Sequence, residues 1–257
     1  MIHPQAVVDS TAELAEDVEV GPFSFIGPGV TIGAGSVIGP HVVVKGPTTI
    51  GKNNRIFQFA SVGEEPQDKK FLPEHDTRLE IGDGNTIREY CTINRGTVGG
   101  GGVTRIGDRN WIMAYVHIAH DCIIGNDTTF ANCASLAGHV EVEDHAILGG
   151  FSLIHQFCRV GRNAFTAMGA SVNRDVPPYV VVAGKMSEPR GINSEGLRRR
   201  GFSAEQIAAV KRAYKMLYTQ GRPLSEALEQ IRELAAEWEE VAPMVEFIQK
   251  SQRSILR

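Results

Sequence analysis

Aliphatic residues recur at every sixth position over most of the chain. An α-helix repeats every 3.6 residues and a β-strand every 2, so neither element alone produces a period of six. A fixed longer period is typical of a solenoid, whose successive turns stack their apolar side chains into one continuous core. Between residues 106 and 172 the series is unbroken and consists of Ile106, Ile112, Ile118, Ile124, Phe130, Leu136, Val142, Leu148, Ile154, Val160, Thr166 and Val172.

The same period also covers the N-terminal part of the chain, over residues 2–62. The fifth position of each six-residue unit is often small or branched, as at Val116 and Ala134. Two inward positions in every six residues fit a prism of short parallel strands. Glycine often follows the aliphatic residue, as at Gly33 and Gly125, and we expect a positive φ at these glycines because the chain bends there.

This repeat resembles the hexapeptide-repeat transferase family. The resemblance implies a left-handed parallel β-helix with three six-residue units in each coil. The implied fold class is therefore an all-β solenoid, to which a C-terminal α-helical region is added.

Two interruptions break the period, within residues 62–81 and 93–106, and each holds one unit plus an insertion. With three units per coil, one face holds the units that begin at Val62, Ile93, Ile118, Leu136 and Ile154. Both inserted loops are therefore expected to leave the solenoid beside His120, His139 and His155. Because coils are spaced about 4.8 Å apart, these histidines form a polar strip flanked by loops, which is a candidate site.

The repeat ends after Val172, where Pro177 and Pro178 cannot donate to a strand ladder. Ser203 and Gln206 form a capping box that predicts the start of a helix. Gly221 and Pro223 end that helix, Leu224 to Trp238 have the spacing of a second, and a third is predicted from Pro243 to near Leu256. We therefore divide the chain into residues 1–190, a β-helix domain, and 191–257, a helical domain.

Composition narrows the function classes only slightly. The net charge of −4 over 257 residues gives no general attraction to nucleic acid or to a membrane surface. No apolar run approaches the roughly 20 residues that span a bilayer, so no transmembrane segment is predicted. The sequence predicts a cytoplasmic location.

The cysteines are Cys91, Cys122, Cys133 and Cys158, and they include no C-x-x-C pair. The sequence therefore predicts neither a disulfide framework nor a zinc ribbon. All except Cys133 occupy the inward fifth position of a unit. We expect those three thiols to pack in the core, since a nucleophilic thiol needs an exposed, electropositive setting.

Several motifs narrow the resemblance from this broad class of transferases to one family. Over its whole length the chain is similar to the family of UDP-N-acetylglucosamine 3-O-acyltransferases, which begin lipid A biosynthesis. The motifs that carry this similarity are Ile118-Ala119-His120-Asp121-Cys122, Leu136-Ala137-Gly138-His139-Val140, Ile154-His155-Gln156-Phe157-Cys158, Asp175-Val176-Pro177-Pro178-Tyr179, and Asn193 through Glu195-Gly196-Leu197 to Arg199-Arg200-Gly201-Phe202.

This resemblance implies direct transfer of a 3-hydroxyacyl group from the thioester of acyl carrier protein to the 3-hydroxyl of UDP-N-acetylglucosamine. It implies a homotrimer and no cofactor or metal ion. No Gly-x-Ser-x-Gly elbow is present, which also favours transfer without an acyl-enzyme. The acyl carrier protein is acidic, and Lys211, Arg212 and Lys215 form a basic patch that could attract it, although the solvated face of a helix explains them equally well.

His120 is the predicted general base, because an imidazole with a pKa of about 6.5 can accept the proton of a sugar hydroxyl. Asp121 is predicted to orient the ring, although adjacent residues on a strand point to opposite faces. By resemblance, the backbone N–H of Gly138 stabilises the developing oxyanion. The alternative is that Gly138 is only a turn glycine.

Other positions match the substrate contacts of the family. The alternative interpretation is that these residues do not bind substrate and are solvated loop residues or structural polar residues. For Arg198 to Arg200, the alternative is a solvated basic turn. The first loop supplies Gln67, Asp68 and Lys70, the histidine strip supplies His117, His139, His155 and Gln156, and the uridine-diphosphate side is matched by Asn193, Glu195, Arg199 and Arg200.

Met168 stands where family members that use long acyl chains carry glycine. If its side chain enters the acyl groove, a shorter chain of about ten carbons is preferred, because overpacking costs about 1–3 kcal/mol. The alternative is that Met168 packs in the core. Met186 replaces a histidine that is common in the family, and the contacts at that position stay open.

Rival functions use the same fold. A γ-class carbonic anhydrase-like zinc lyase could use His117, His120 and His139 as ligands. Another hexapeptide acyltransferase, acting on serine or a small amine, would lack the C-terminal helices with their paired arginines. An ice-binding solenoid would need regular ranks of threonine, which the sequence lacks.

Overall fold

The computed structural model describes residues 1–257 and contains 27 short strands followed by four α-helices. The strands form three sheets that run along the solenoid, and successive strands visit the three sheets in turn. Strands three apart in sequence are parallel neighbours in the same sheet, so three units make one coil. The fold is a left-handed parallel β-helix, which confirms the predicted fold class.

Most strands have two residues, and all are numbered here in chain order. The first sheet contains β1 (Val7–Val8), β4 (Phe25–Ile26), β7 (Val43–Val44), β10 (Ser61–Glu64), β13 (Thr92–Asn94), β16 (His117–Ile118), β19 (Ser135–Leu136), β22 (Leu153–Ile154) and β25 (Ser171–Val172). The second contains β2 (Glu13–Leu14), β5 (Val30–Ile32), β8 (Thr48–Ile50), β11 (Arg78–Ile81), β14 (Val103–Ile106), β17 (Ile123–Ile124), β20 (Glu141–Val142) and β23 (Arg159–Val160).

The third sheet ends the solenoid, because its last strand turns back. It contains β3 (Glu19–Val20), β6 (Val37–Ile38), β9 (Arg55–Ile56), β12 (Thr86–Ile87), β15 (Trp111–Ile112), β18 (Thr129–Phe130), β21 (Ile147–Leu148), β24 (Phe165–Thr166), β26 (Val180–Ala183) and β27 (Glu188–Ile192). The pair β26 and β27 is antiparallel, whereas all other strand pairs are parallel. Residues 65–77, which we call the first loop, join β10 to β11, and residues 95–102, the second loop, join β13 to β14.

The six-residue period corresponds to the core. Every periodic residue from Val20 to Val172 is buried, and so is the fifth position of most units. Cys91, Cys122 and Cys158 are fully buried, as predicted, and burial raises the pKa of their thiols to about 11, about 12 and about 11 respectively. These thiols therefore pack in the interior and are poor nucleophiles.

The prediction about the repeat glycines was wrong. Gly33 and Gly125 do not have a positive φ; that conformation is found instead three residues after the periodic aliphatic residue, as at Asp121, with a φ of 61°. The glycines are needed because the neighbouring coil approaches closely. A Cβ on Gly33 would lie 2.7 Å from the carbonyl carbon of Gly51.

Substituting Gly33 with alanine should therefore destabilise the solenoid. The added methyl group meets rigid backbone, and overpacking of this kind costs about 1–3 kcal/mol. A lower midpoint of thermal unfolding would show the effect. Gly99→Ala is the control, since a Cβ there has nothing within 4 Å; equal unfolding midpoints for both variants would contradict the explanation.

The C-terminal region packs around a second core of 15 buried residues. Its helices are α1 (Ser194–Arg199), α2 (Ala204–Tyr218), α3 (Leu224–Glu237) and α4 (Ala242–Lys250), and short 3-10 turns occupy Val98–Gly100 and Glu239–Val241. The predicted capping box of Ser203 and Gln206 is present at the start of α2. No helix is sufficiently long and apolar to span a bilayer.

The third predicted helix is shorter than expected. It ends at Lys250 rather than near Leu256, because the following segment is extended and Ile255 pairs with Asp175. The Ser251 hydroxyl donates to Asp175 Oδ2 at 2.6 Å, which fixes this segment on the solenoid. The division into residues 1–190 and 191–257 stays a prediction.

Candidate active site

The predicted polar strip lies on the first sheet. Strands β10, β13, β16, β19 and β22 are consecutive neighbours there, which confirms that their units share one face. Both loops leave from this sheet, since they follow β10 and β13. His120 and Asp121 lie at the corner between β16 of the first sheet and β17 of the second.

His120 and Asp121 are in direct contact. His120 Nδ1 lies 2.8 Å from Asp121 Oδ2, and the side chain of His120 is 18% exposed whereas that of Asp121 is 1% exposed. The argument that neighbouring residues point to opposite faces does not apply, because both residues lie in the turn after β16. The φ of 61° at Asp121 turns its carboxylate back toward the imidazole.

The Asp121 carboxylate is held by two donors from the second loop. The backbone N–H of Thr97 donates to Oδ1 at 2.8 Å, and the Thr97 hydroxyl donates to Oδ2 at 2.6 Å. Burial alone would raise the pKa of Asp121, but hydrogen bonds from His120 and Thr97 outweigh it and hold the pKa below its usual value. The carboxylate is therefore ionised and accepts the Nδ1 proton of His120, which leaves Nε2 free to accept a proton.

Gly138 lies against the His120 ring from the next coil. A Cβ at Gly138 would lie 2.5 Å from Cε1 and 2.8 Å from Nε2 of His120. Gly138 does not have a positive φ, so it is not a glycine required by its turn conformation. Its N–H donates to no acceptor within the chain, which leaves it free for a bound group.

His117 and His139 flank the pair. His117 Nδ1 lies 2.7 Å from the Thr92 hydroxyl, and burial, followed by the charge of His120, lowers the pKa of His117. His139 stacks on Phe157 with ring centroids 4.4 Å apart. Burial also lowers the pKa of His139, against the opposing effect of Asp121, so both flanking imidazoles favour the neutral form.

The remaining predicted residues of the strip face outward. His155 and Gln156 are exposed, and His155 Nδ1 lies 3.2 Å from the backbone carbonyl oxygen of Gln156. In the first loop, Gln67 and Lys70 are exposed and Asp68 is half-buried. The negative charge of Asp68 acts to raise the pKa of His139, against the larger effect of burial.

The predicted uridine-diphosphate residues lie elsewhere, at the start of α1. The Asn193 side chain accepts from the N–H of Gly196 at 3.1 Å and so caps α1, and Glu195 pairs with Arg199 at 3.0 Å. Asn193, Glu195, Arg199 and Arg200 line one cavity of about 690 Å³.

That cavity is walled by residues of the third sheet, namely Ile147, Phe165 and Val181. The corner with His120 is formed by the first and second sheets and therefore lies across the prism from it. Within one chain, the structure does not bring the two groups of predicted residues together.

The two methionines are solvent-exposed. Met168 and Met186 are each 80% exposed, so the alternative that Met168 packs in the core was wrong. Met168 projects from the turn that joins β24 to β25.

One cluster has the donors for a metal ion. Ligand atoms of His120, Asp121 and His139 all lie within 4.8 Å of one another. This set includes a carboxylate and omits His117, so it differs from the three histidines considered from the sequence.

Sequence reasoning missed Thr97 and Thr104. The Thr104 hydroxyl accepts from the backbone N–H of Asp121 at 2.8 Å, so both threonines hold the same residue. Thr97 lies in an insertion where the six-residue period gives no register. Its one sequence signal is its place between Gly96 and the run Gly99 to Gly102.

The fold and the site define the class of a hexapeptide-repeat acyltransferase. The family model described as bacterial transferase hexapeptide (six repeats) matches residues 11–46 and 104–138. The model described as UDP N-acetylglucosamine O-acyltransferase, domain 2, matches residues 175–256. The chain belongs to the UDP-N-acetylglucosamine O-acyltransferase family, and it is an O-acyltransferase.

Full-length relatives support this assignment. An acyl-[acyl-carrier-protein]–UDP-N-acetylglucosamine O-acyltransferase of Alkalilimnicola ehrlichii is 59% identical over 256 residues, which cover 100% of this chain and 99% of the relative. One of Thiobacillus denitrificans is 56% identical with the same coverage. The solved UDP-N-acetylglucosamine acyltransferase of Francisella novicida is 47% identical, with a TM-score of 0.98 over 100% of this chain and 94% of that one. The alternatives of a γ-class carbonic anhydrase-like zinc lyase and of another hexapeptide acyltransferase are therefore not retained.

Proposed function

We propose that this protein transfers a 3-hydroxyacyl group from acyl carrier protein to the 3-hydroxyl of UDP-N-acetylglucosamine, the first step of lipid A biosynthesis. The observation that carries the proposal is the His120 ring, which is bound to Asp121 on one side and lies against Gly138 on the other. The names of the relatives support the two substrates, because each is an acyl-carrier-protein-dependent UDP-N-acetylglucosamine O-acyltransferase.

His120 acts as the general base. Its Nε2 accepts the proton of the sugar hydroxyl while that oxygen attacks the thioester carbonyl carbon. The negative charge that develops on the carbonyl oxygen is stabilised by the N–H of Gly138. When the intermediate collapses, the carbon–sulfur bond breaks and the His120 proton passes to the departing thiolate. The ionised Asp121 stabilises the imidazolium between these two steps.

Substrate binding uses both groups of predicted residues. Gln67, Asp68, Lys70, His117, His139, His155 and Gln156 contact the sugar and the acyl donor, and Asn193, Glu195, Arg199 and Arg200 contact the uridine diphosphate. Guanidinium groups pair well with phosphate, and burial lowers the pKa of Arg200 without removing its charge at neutral pH.

The active protein is a homotrimer with sites between subunits. The two groups of binding residues lie on opposite sides of one prism, so a site that uses both takes them from two copies. Closed cyclic symmetry then gives each copy one complete site.

The donor protein docks on α2. Lys211, Arg212 and Lys215 are exposed on this helix, as a surface for an acidic carrier protein requires. The cytoplasmic location stays a prediction.

The function is tested by incubating the protein with UDP-N-acetylglucosamine and acyl carrier proteins that bear different 3-hydroxyacyl chains. Mass spectrometry should find a singly acylated UDP-N-acetylglucosamine, with the fastest turnover for a chain of about ten carbons. If no chain length gave an acylated product, the proposed function would be refuted.

Met168→Gly should shift the preference to a longer acyl chain. The exposed Met168 side chain is available to block a groove between subunits, and glycine removes the block. The measurement is the ratio of kcat/KM for donors of fourteen and ten carbons, which should rise by at least about 10-fold, since a single methylene already changes kcat/KM about 10- to 200-fold. Met186→Gly, at an equally exposed methionine, is the matched comparison. An unchanged ratio in Met168→Gly would contradict the assignment.

A further inference from the structure

The second loop contacts the carboxylate of Asp121 at three points. Thr97 supplies two donors, one from its backbone N–H to Oδ1 and one from its hydroxyl to Oδ2. Gly100 supplies the third contact, because its Cα lies so close that a Cβ there would overlap the carboxylate. The backbone of Asp121 is held separately by the Thr104 hydroxyl, at the start of the solenoid strand that follows the loop.

These contacts differ from ordinary turn interactions in their burial. Thr97 is 8% exposed, Thr104 is fully buried, and the Asp121 side chain is 1% exposed. A buried carboxylate without donors would carry a large desolvation cost and would tend to be protonated. The loop supplies those donors from more than 20 positions away in sequence, whereas neighbouring coils supply none to this carboxylate.

We infer that Thr97 is a positioning residue for the acyl transfer, and that the second loop serves as a clamp that orients the Asp121 carboxylate toward His120 Nδ1. The inference rests on the proposed function. Thr97 acts through Asp121, and its hydroxyl and the His120 ring share the same carboxylate oxygen, Oδ2.

The clamp sets how strongly the His120–Asp121 pair binds a proton. Removing the Thr97 hydroxyl leaves Oδ2 with one donor fewer, so the carboxylate anion is less stabilised and the pair as a unit holds a proton more tightly. The ionisable groups that face the pair are His117, His139, Glu141, Arg159, Asp175 and Lys250, and Asp68 acts on His139. All of them are unchanged by a substitution at Thr97.

Thr97→Val tests this inference, because valine keeps the shape and loses the hydroxyl. We expect kcat to fall roughly 10- to 100-fold with little change in KM for UDP-N-acetylglucosamine. The acid limb of the pH profile of kcat/KM should move to higher pH by about one unit. Thr97→Ser retains the donor and should keep the wild-type acid limb.

Thr77→Val is the matched control. Thr77 is also buried, at 1% exposed, but its hydroxyl has no hydrogen-bond partner, so this variant should retain the activity and pH profile of the wild type. A wild-type profile in Thr97→Val, or an equal loss of kcat at all pH values, would overturn the inference.

A second pair of variants keeps the test decisive if Thr97→Val does not fold. Gly100→Ala places a methyl group against the carboxylate and should lower kcat, whereas Gly99→Ala adds one with nothing within 4 Å and should not. Equal activities in these two variants would count against the clamp. The wild type is assayed alongside these variants. If the wild type does not turn over, the proposed function is refuted. If the wild type turns over and the variants match it, only the clamp is refuted.

Discussion

His120→Ala is expected to lower kcat by about 10²- to 10⁴-fold while the protein stays folded. The substitution removes the only imidazole that is bound to the Asp121 carboxylate at hydrogen-bond distance; His139 Nε2 is 3.7 Å from the same oxygen. The ring is partly exposed in a turn, so its loss leaves the buried aliphatic core of the solenoid unchanged. Turnover with acyl carrier protein and UDP-N-acetylglucosamine gives kcat, and circular dichroism reports the fold.

His155→Ala is the matched comparison for this experiment. It also removes an imidazole from the polar strip, but His155 is exposed and has no carboxylate partner, so a contact with substrate would affect KM more than kcat. If His120→Ala turned over at near the wild-type rate, the assignment of the general base would be wrong.

Gly138→Ala is expected to produce the second largest effect, a loss of about 10²-fold in kcat. The new methyl group would lie 2.5 Å from Cε1 and 2.8 Å from Nε2 of His120, so the ring must move. A displacement of about 1 Å from a productive geometry costs a factor of this size. Alanine keeps the backbone N–H, so the loss measures the displaced base rather than a missing oxyanion donor.

Two readouts separate this explanation from general damage. The unfolding midpoint of Gly138→Ala should stay within a few degrees of the wild type, because the contact is with a partly exposed side chain that can move. Gly99→Ala should show neither effect. Full activity in Gly138→Ala would mean that the His120 ring tolerates displacement and that the close contact has no catalytic role.

The fold was largely predictable because each coil repeats one physical requirement. A residue such as Ile118 is fully buried because six residues bring the chain back to an inward position, and the fifth-position Cys122 is buried for the same reason. The purpose of Gly33 was not predictable in this way. A turn glycine and a glycine that admits a neighbouring backbone look identical in one sequence, and only the spacing between coils distinguishes them.

The site was predictable in its location but not in its contacts. The insertions and the histidine spacing indicated the correct sheet, and the family resemblance singled out His120. The contact between His120 and Asp121 depends on the positive φ of Asp121. An argument that treats both residues as part of one strand excludes this contact. Thr97 lies in a loop without a period, so its distance from Asp121 follows only from the folded path of that loop.

The register of the sheets has a consequence for how such a chain can change length. His117 pairs with Ser135 on the next coil, 18 residues later, and the same step separates His120 from Gly138. An insertion of 18 residues far from this corner adds one coil and leaves Gly138 facing His120. An insertion of six residues between Ile124 and Leu136 instead moves Gly138 and His139 to the next face of the prism, away from His120. Lengthening by whole coils is therefore compatible with catalysis, whereas lengthening by single units within residues 120–138 is not.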